Sequence, residues 1–288
     1  MKILRTGALL ILLSVLLVTV GGALGGQNGL KIALAVAVLM NGISYFFSDK
    51  IALASSGAQP VSREQLPRLY AVMERLAAKG NIPVPKLYVI PEAAPNAFAT
   101  GRNPKHASVA VTQGLLELMN DDELEGVIAH ELSHVRNYDI LTSSIAATIA
   151  GAITYLAHVA RWGMMFGGYG RDRDNDRGSG GIAALLMIFL APFAALLLQL
   201  FLSRTREFSA DETGARMVGQ PYGLMSALQK LGAYNQRIPT TSLSPSTSAL
   251  CIVKPFFGGG MLSSLFSTHP PLEDRIAALR EMTITPLR

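Results

Sequence analysis

The stretch His130-Glu131-Leu132-Ser133-His134 decides what the middle of this chain must fold into. Its two histidines are four residues apart, and residues at that spacing lie on the same face of an α-helix. Both imidazoles can therefore bind one metal ion, while Glu131 lies close enough to reach a water at that ion. This H-E-x-x-H spacing is typical of zinc sites that carry their own general base, as in metalloproteases.

A helix start precedes the motif. Asn120 is a favourable N-cap, and Glu123 three residues later completes the pattern of a capping box. Apolar residues then recur at helical spacing: Leu124, Val127, Ile128 and Val135. We therefore predict an amphipathic helix with the motif in its last turns. The alternative is a pair of surface histidines near a glutamate, because such a pattern arises by chance in on the order of one in a hundred chains of this length.

Composition indicates a membrane protein. The 288 residues are 50% hydrophobic and 16% charged, with a mean hydropathy of +0.33. The single cysteine, Cys251, excludes an internal disulfide and a cysteine-rich zinc site, so histidines and carboxylates must bind any zinc. The net charge of +5 comes from basic residues that flank apolar runs or are scattered through the polar part, which indicates membrane orientation. No nucleic-acid motif is present, so we expect no nucleic-acid partner.

Four apolar runs predict about four hydrophobic helices: residues 6–26, 32–47, 140–160 and 181–202. A helix needs about 20 residues to cross a bilayer core, which the first and last runs supply; the other two are shorter or more polar. The first run also fits a secretory signal peptide, since Lys2 and Arg5 precede it and small residues lie near its end at 22–25. Its length and the second run close behind favour a retained anchor.

The chain divides into four predicted segments. These are a transmembrane hairpin (1–48), a first part of the catalytic domain with the H-E-x-x-H helix (49–139), a second hydrophobic hairpin (140–202) and a second part of the catalytic domain (203–288). Lys2 and Arg5 place the polar parts in the cytoplasm. The loop 161–180 then falls outside although it carries four arginines. The second hairpin therefore either crosses the bilayer or dips into it and packs on the protein.

The predicted fold class is mainly α with a small β-sheet, in a zincin-like cytoplasmic domain. Residues 60–80 have the pattern of an amphipathic helix, and 86–90, 96–101 and 108–112 that of strands, with helix again from 113. Zincins commonly hold an extended substrate along an exposed strand edge. Asn96, Ala97 and Phe98 are our candidates for that edge. A plain sheet strand explains their spacing equally well.

A catalytic zinc site usually has three protein ligands and one open position. Candidates for the third ligand are His106 in a basic turn, His158 in an apolar run, His269 before two prolines, and Glu207 directly after the fourth apolar run. Glu207 and Asp211 are four apart, so Glu207 could face the metal while Asp211 accepts the free N–H of a ligand histidine. A solvated helix face with an Arg–Glu pair explains the same residues.

Four motifs occur in one order along the chain: Asn96-Ala97-Phe98-Ala99, His130-Glu131-Leu132-Ser133-His134, Glu207-Phe208-Ser209-Ala210-Asp211 and His269-Pro270-Pro271. With them the chain resembles the HtpX-type membrane metalloproteases, which are relatives of the CAAX prenyl proteases and similar to gluzincins. The resemblance covers nearly the whole chain. It implies one Zn²⁺ per chain held by His130, His134 and Glu207. It further implies that Glu131 is the catalytic base and that His269 lies near the site and stabilises the oxyanion.

The same resemblance implies a biological setting. The expected location is the bacterial cytoplasmic (inner) membrane, with several membrane passes and the active site on the cytoplasmic side. The expected partners are the lipid bilayer and protein substrates, mainly damaged or misfolded membrane proteins degraded under stress.

Two other function classes compete with this interpretation. A catalytically inactive zinc-binding membrane scaffold would also use the histidines, but a structural site is closed by four ligands and has no need of Glu131. A transporter could use His158 and Pro192 as polar or broken-helix elements. The sequence shows neither repeat symmetry nor paired intramembrane charges, which that class would favour.

Overall fold

The computed structural model describes residues 2–146, 204–237, 252 and 270–283. Their helices are α1 (Lys2–Ser55), α2 (Pro67–Lys79), α3 (Gln113–Leu118), α4 (Asp121–Arg136), α5 (Arg204–Val218), α6 (Tyr222–Arg237) and α7 (Leu272–Glu281). Residues 140–146 are also helical. The strands are β1 (Gln59–Pro60), β2 (Lys86–Ile90), β3 (Ala97–Gly101) and β4 (Ala107–Thr112). The predicted fold class, mainly helical with a small sheet, is confirmed.

Helix α1 folds back on itself. At Gly26 the backbone leaves helical geometry with φ 56° and ψ −142°, and glycine adopts a positive φ without a steric penalty. The two halves then run side by side, because Asn41 Nδ2 donates to Ser14 Oγ at 2.8 Å. In the described part of the chain, Gly26–Ser55 is the helix that is long and apolar enough to cross a membrane. The third and fourth apolar runs fall largely outside the described residues, and their crossing stays a prediction.

The sheet has the strand order β1-β2-β4-β3. β2 and β4 are parallel, whereas β1 and β3 pair antiparallel with their neighbours. The three predicted strands are confirmed as β2, β3 and β4. The helix expected at 60–80 starts only at Pro67, which suits the first turn of a helix, while Gln59 and Pro60 pair with β2 instead. β3 forms one edge of the sheet and contacts α4.

Helix α4 is the element on which the site is built, and its N-terminus is fixed as the sequence predicts. Asn120 Oδ1 accepts the backbone N–H of Glu123 at 2.9 Å, and Glu123 Oε2 accepts the N–H of Asn120 at 2.9 Å. Glu123 also accepts hydrogen bonds from Ser226 Oγ at 2.6 Å and Lys230 Nζ at 2.7 Å. Burial alone would raise the pKa of Glu123, but these partners hold it below its ordinary value. The capping box therefore also joins α4 to α6.

Helix α5 packs closely against α4 in the part that carries the motif. A Cβ added at Gly214 would lie 3.0 Å from the backbone nitrogen of His130. Glycine at this position lets the two helix backbones approach, so that side chains of α5 reach the motif face of α4. Because Glu207 and Asp211 belong to the same helix, this close contact brings both of them to the histidines.

Removing the N-cap tests how far this anchoring matters. Asn120→Ala should destabilise the protein by about 1 kcal/mol, because the N–H of Glu123 loses its acceptor. The expected fall in Tm is about 2–4 °C in detergent, measured by circular dichroism. Gln113→Ala, at an exposed position on α3, is the matched control and should change stability by less than about 0.5 kcal/mol. Equal Tm values for the two variants would contradict the role of the cap.

Candidate active site

The two motif histidines turn the same ring atom towards each other. His130 Nε2 and His134 Nε2 are 3.3 Å apart, and the ring planes are nearly perpendicular at 89°. His130 is 1% exposed, and the His134 side chain 17%. The alternative of two surface histidines is therefore wrong. Two buried ring nitrogens this close together form a natural place for a cation.

Glu207 completes this group from α5. Its Oε1 lies 3.6 Å from His134 Nε2, and its Oε2 lies 3.7 Å from His130 Nε2. One donor atom from each of the three residues lies within 4.8 Å of the others. The other candidate ligand that the structure describes, His106, is exposed and shares a hydrogen bond with Asn103 at 2.8 Å. His158 and His269 lie outside the described residues.

The group fits a divalent cation by donor type and by charge. Two imidazoles and one carboxylate are a usual ligand set of catalytic zinc. Around them the buried side chains include four carboxylates, those of Glu131, Asp139, Glu207 and Asp211. Among the described residues, Arg275 is the only buried side chain with a fixed positive charge. A divalent cation between the histidines would offset most of the remaining negative charge.

Each histidine is oriented by a carboxylate at its other ring nitrogen. Asp211 Oδ1 lies 2.8 Å from His130 Nδ1, and Asp139 Oδ2 lies 3.5 Å from His134 Nδ1. Binding at Nδ1 leaves Nε2 free to face the metal position. Burial lowers the pKa of His130. Burial alone would also lower the pKa of His134, but Asp139, Glu207 and Glu131 together raise it.

Arg275 of α7 ties these groups together. It is 0% exposed, and its Nε and Nη2 donate to the two carboxylate oxygens of Asp211 at 2.8 and 2.7 Å. Its Nη1 lies 3.6 Å from Glu207 Oε2. Burial alone would raise the pKa of Asp211, but Arg275 and His130 lower it. A two-point, charge-assisted contact of this kind fixes the position of Asp211 and therefore of His130.

Glu131 lies on the same helix and is 2% exposed. Burial raises its pKa to about 7, although the nearby backbone of Ala99 acts to lower it. A buried carboxylate with this proton affinity can accept a proton near neutral pH and give it back. The general-base candidate therefore lies where α4 contacts β3.

The comparisons with known proteins agree with this geometry. The sequence profile of peptidase family M48 matches residues 63–283. The chain belongs to peptidase family M48. It is 50% identical to the protease HtpX homolog of Syntrophobacter fumaroxidans over 278 residues, 96% of this chain and 98% of the relative. It is 49% identical to the protease HtpX homolog of Pyrococcus furiosus over 280 residues, 97% of this chain and 96% of the relative.

A solved structure shares the fold of this M48 chain. The crystal structure of S. mikatae Ste24p aligns with a TM-score of 0.51 at 20% sequence identity, over 95% of this chain and 62% of that one. This chain therefore spans less than two thirds of the length of Ste24p. At this identity the likeness concerns the fold alone.

The predicted substrate strand is an edge strand but it is not exposed. Asn96, Ala97 and Phe98 are 5%, 0% and 2% exposed. The side chain of Phe98 packs with Ala52 and Leu53 near the end of α1. The rest of the protein covers the side chains at this edge, and the role of these residues in substrate binding stays a prediction.

Two residues of the M48 site were not predicted from the sequence. Asp139 follows His134 by five residues, and Tyr138 with φ 60° turns the chain so that Asp139 faces back towards α4. The short separation of Asp139 from His134 in the sequence could have predicted this contact. Arg275 offered none, because arginine is rarely buried and nothing in its local pattern marks it as such.

Asp211 should contribute to metal affinity through His130. Asp211→Asn removes the charge that orients His130 and pairs with Arg275, so we expect zinc binding to weaken about 10–100-fold. Competition with a chromophoric chelator measures this directly. Asp274→Asn, an exposed position in the first turn of α7, makes the same chemical change and should leave affinity unaltered. Unchanged affinity in Asp211→Asn, with the fold intact, would refute this role.

Proposed function

We propose that this chain is a membrane-bound zinc endopeptidase that degrades damaged or misfolded proteins. One observation carries the proposal: a buried His130–His134–Glu207 group lies beside Glu131 in a chain of peptidase family M48. An inactive zinc scaffold would need four ligands to close its site. In the described part of the chain three donors converge, and the neighbouring Glu131 is suited to proton transfer.

His130, His134 and Glu207 would hold the zinc ion. Zinc supplies Lewis acidity, which activates water and polarises a peptide carbonyl. Glu131 takes a proton from the attacking water as the new C–O bond forms. It then passes the proton to the leaving amine nitrogen as the C–N bond breaks. The Glu131 carboxylate lies close to the backbone of Ala99 on β3. A substrate lying along β3 would therefore meet the base directly.

The substrate is proposed to bind as an extended segment along Asn96, Ala97 and Phe98. Main-chain hydrogen bonds to a strand edge hold such a segment with little dependence on its side chains. That property suits an enzyme for misfolded proteins of many sequences. The backbone carbonyl of Ala97 is the edge group that supports this placement, since it already accepts a main-chain N–H from Ile252. His269 is proposed to stabilise the oxyanion, on the resemblance alone.

The proposed location is the cytoplasmic face of the bacterial inner membrane. Apolar side chains on the second half of α1 are strongly exposed, as expected for contact with lipid: Ile32 65%, Val38 66%, Leu39 64% and Phe46 55%. Helix α4 ends at Arg136, four residues before the third apolar run begins. Both features support a site held close to the bilayer, where membrane-anchored substrates are concentrated.

Exchanging the proposed base tests the mechanism. Glu131→Gln keeps the shape of the side chain and all three metal donors but cannot accept the proton. We expect zinc content to be unchanged and casein cleavage to fall by about 10²–10⁴-fold. The assay uses detergent-purified protein, treated with chelator and then given zinc. Glu117→Gln, an exposed carboxylate on α3, should cleave normally. Cleavage at the wild-type rate by zinc-loaded Glu131→Gln would falsify the mechanism.

Membrane anchoring of the substrate should raise its turnover. One loop sequence is prepared with and without a transmembrane helix and incubated with the protein in liposomes. We expect kcat/KM to be about 10-fold higher or more for the anchored form, because anchoring raises its local concentration. In detergent micelles the two forms should be cleaved alike. Equal rates in liposomes would count against a membrane-protein substrate.

A further inference from the structure

Ile252 occupies the strand edge at which the substrate is proposed to bind. Its backbone N–H donates to the carbonyl oxygen of Ala97 at 3.2 Å and to Asn96 Oδ1 at 3.2 Å. A main-chain N–H bound to an edge carbonyl is the contact that an added strand makes. Ile252 is far from β3 in sequence, so this contact is formed by the tertiary fold.

The other backbone group of Ile252 is also held by the site. Its carbonyl oxygen accepts a hydrogen bond from Arg275 Nη1 at 2.9 Å. The same guanidinium binds both oxygens of Asp211, and its Nη2 lies 3.5 Å from His130 Nδ1. The main chain at Ile252 is therefore fixed on one side by β3 and on the other by the group that orients the metal ligand.

The side chain of Ile252 is buried in the core. It is 1% exposed and belongs to the main hydrophobic cluster, together with Ala97, Ala99 and Leu132. These three residues come from β3 and from the helix that carries the motif. An aliphatic side chain is thus enclosed beside β3, in the same core that packs the helix of the motif.

We propose that Ile252 stands in the place of a substrate residue and competes with substrate for this position. The proposal rests on the proposed endopeptidase function and specifies its substrates further. A substrate has to displace Ile252, place an aliphatic side chain in the same pocket, and use Ala97 and Arg275 for its own N–H and carbonyl. The N–H and the carbonyl of the substrate backbone can make these contacts whatever its sequence. The pocket, in contrast, selects for side chains such as Ile, Leu and Val.

Substitutions that weaken the contacts of Ile252 with the site should increase the affinity for substrate. When a binding-competent state is only partly populated, the apparent affinity falls by that fraction. Ile252→Ala reduces the buried side chain, and Ile252→Pro removes the donated N–H. We expect each to lower KM for casein by about 5-fold or more while kcat stays within about 2-fold. Steady-state cleavage in detergent with added zinc measures both values.

A matched core truncation separates competition from simple loss of packing. Leu279→Ala removes an aliphatic side chain that is also 1% exposed in the same cluster but lies on α7, away from β3. It should lower Tm and leave KM unchanged. If Ile252→Ala and Ile252→Pro leave KM unchanged or raise it, with Tm lowered as in Leu279→Ala, then Ile252 is only a core residue and the proposal fails.

A binding assay does not depend on catalysis. The probe is a fluorescein-labelled synthetic peptide of residues 248–256 with Cys251→Ser, mixed with the zinc-loaded Glu131→Gln protein. Anisotropy should show at least about 5-fold tighter binding after Ile252→Ala is added to that protein. The same peptide carrying Ile252→Asp should not bind more tightly to the Ile252→Ala protein, since the pocket is apolar. Equal binding by both proteins overturns the proposal, whereas absent cleavage by the wild type overturns only the proposed function.

Discussion

Burying several like charges in one place is the constraint on which this structure depends. Four carboxylates, the imidazole of His130 and one guanidinium are almost fully removed from water, and the side chain of His134 is 17% exposed. An unpaired ion in such a place would cost several kcal/mol, so each charge needs a partner of defined geometry. Asp211 has Arg275 and His130, Asp139 has His134, and Glu207 lies between both rings. A divalent cation would complete the balance, so the same group can hold a metal and form part of the core.

The surrounding fold keeps these partners at fixed distances. The capping box of Asn120 and Glu123 fixes the start of α4, and its contacts with α6 add a second support. Gly214 lets α5 approach α4 closely enough for Glu207 to reach the rings. Side chains on packed helices are held more rigidly than side chains on loops, which suits a site that must keep its geometry before substrate arrives.

The edge strand β3 lies between the site and the end of α1. One side of the strand carries Ala97 and Ala99, which belong to the cluster around the motif helix. The other side carries Phe98, which packs with Ala52 and Leu53 near the end of α1. Successive side chains of a strand point to opposite faces. The five buried residues of β3 can therefore contact the helix of the motif on one face and α1 on the other. The same strand therefore contacts both the end of α1 and the helix that carries the motif.

Local spacing was enough to predict much of this protein. Patterns among neighbouring residues predicted the helix that carries His130 and His134, together with its cap. They also predicted the three longer strands and the apolar N-terminal segment. Glu207 and Asp211 were also marked by their spacing, as a pair that fits one helix face. Such features depend on neighbours in the chain, so the sequence determined them by itself.

Only the tertiary structure decided how distant parts meet. It buried Arg275 against Asp211, turned Asp139 back to His134 and placed Ile252 on the edge of β3. The partner of a buried charge or of a strand edge is set by the path of the whole chain. Contacts between residues far apart in the sequence do not produce a local repeating pattern that could predict them. For this reason the sequence could name a substrate strand, but not the residue of the same chain that covers it.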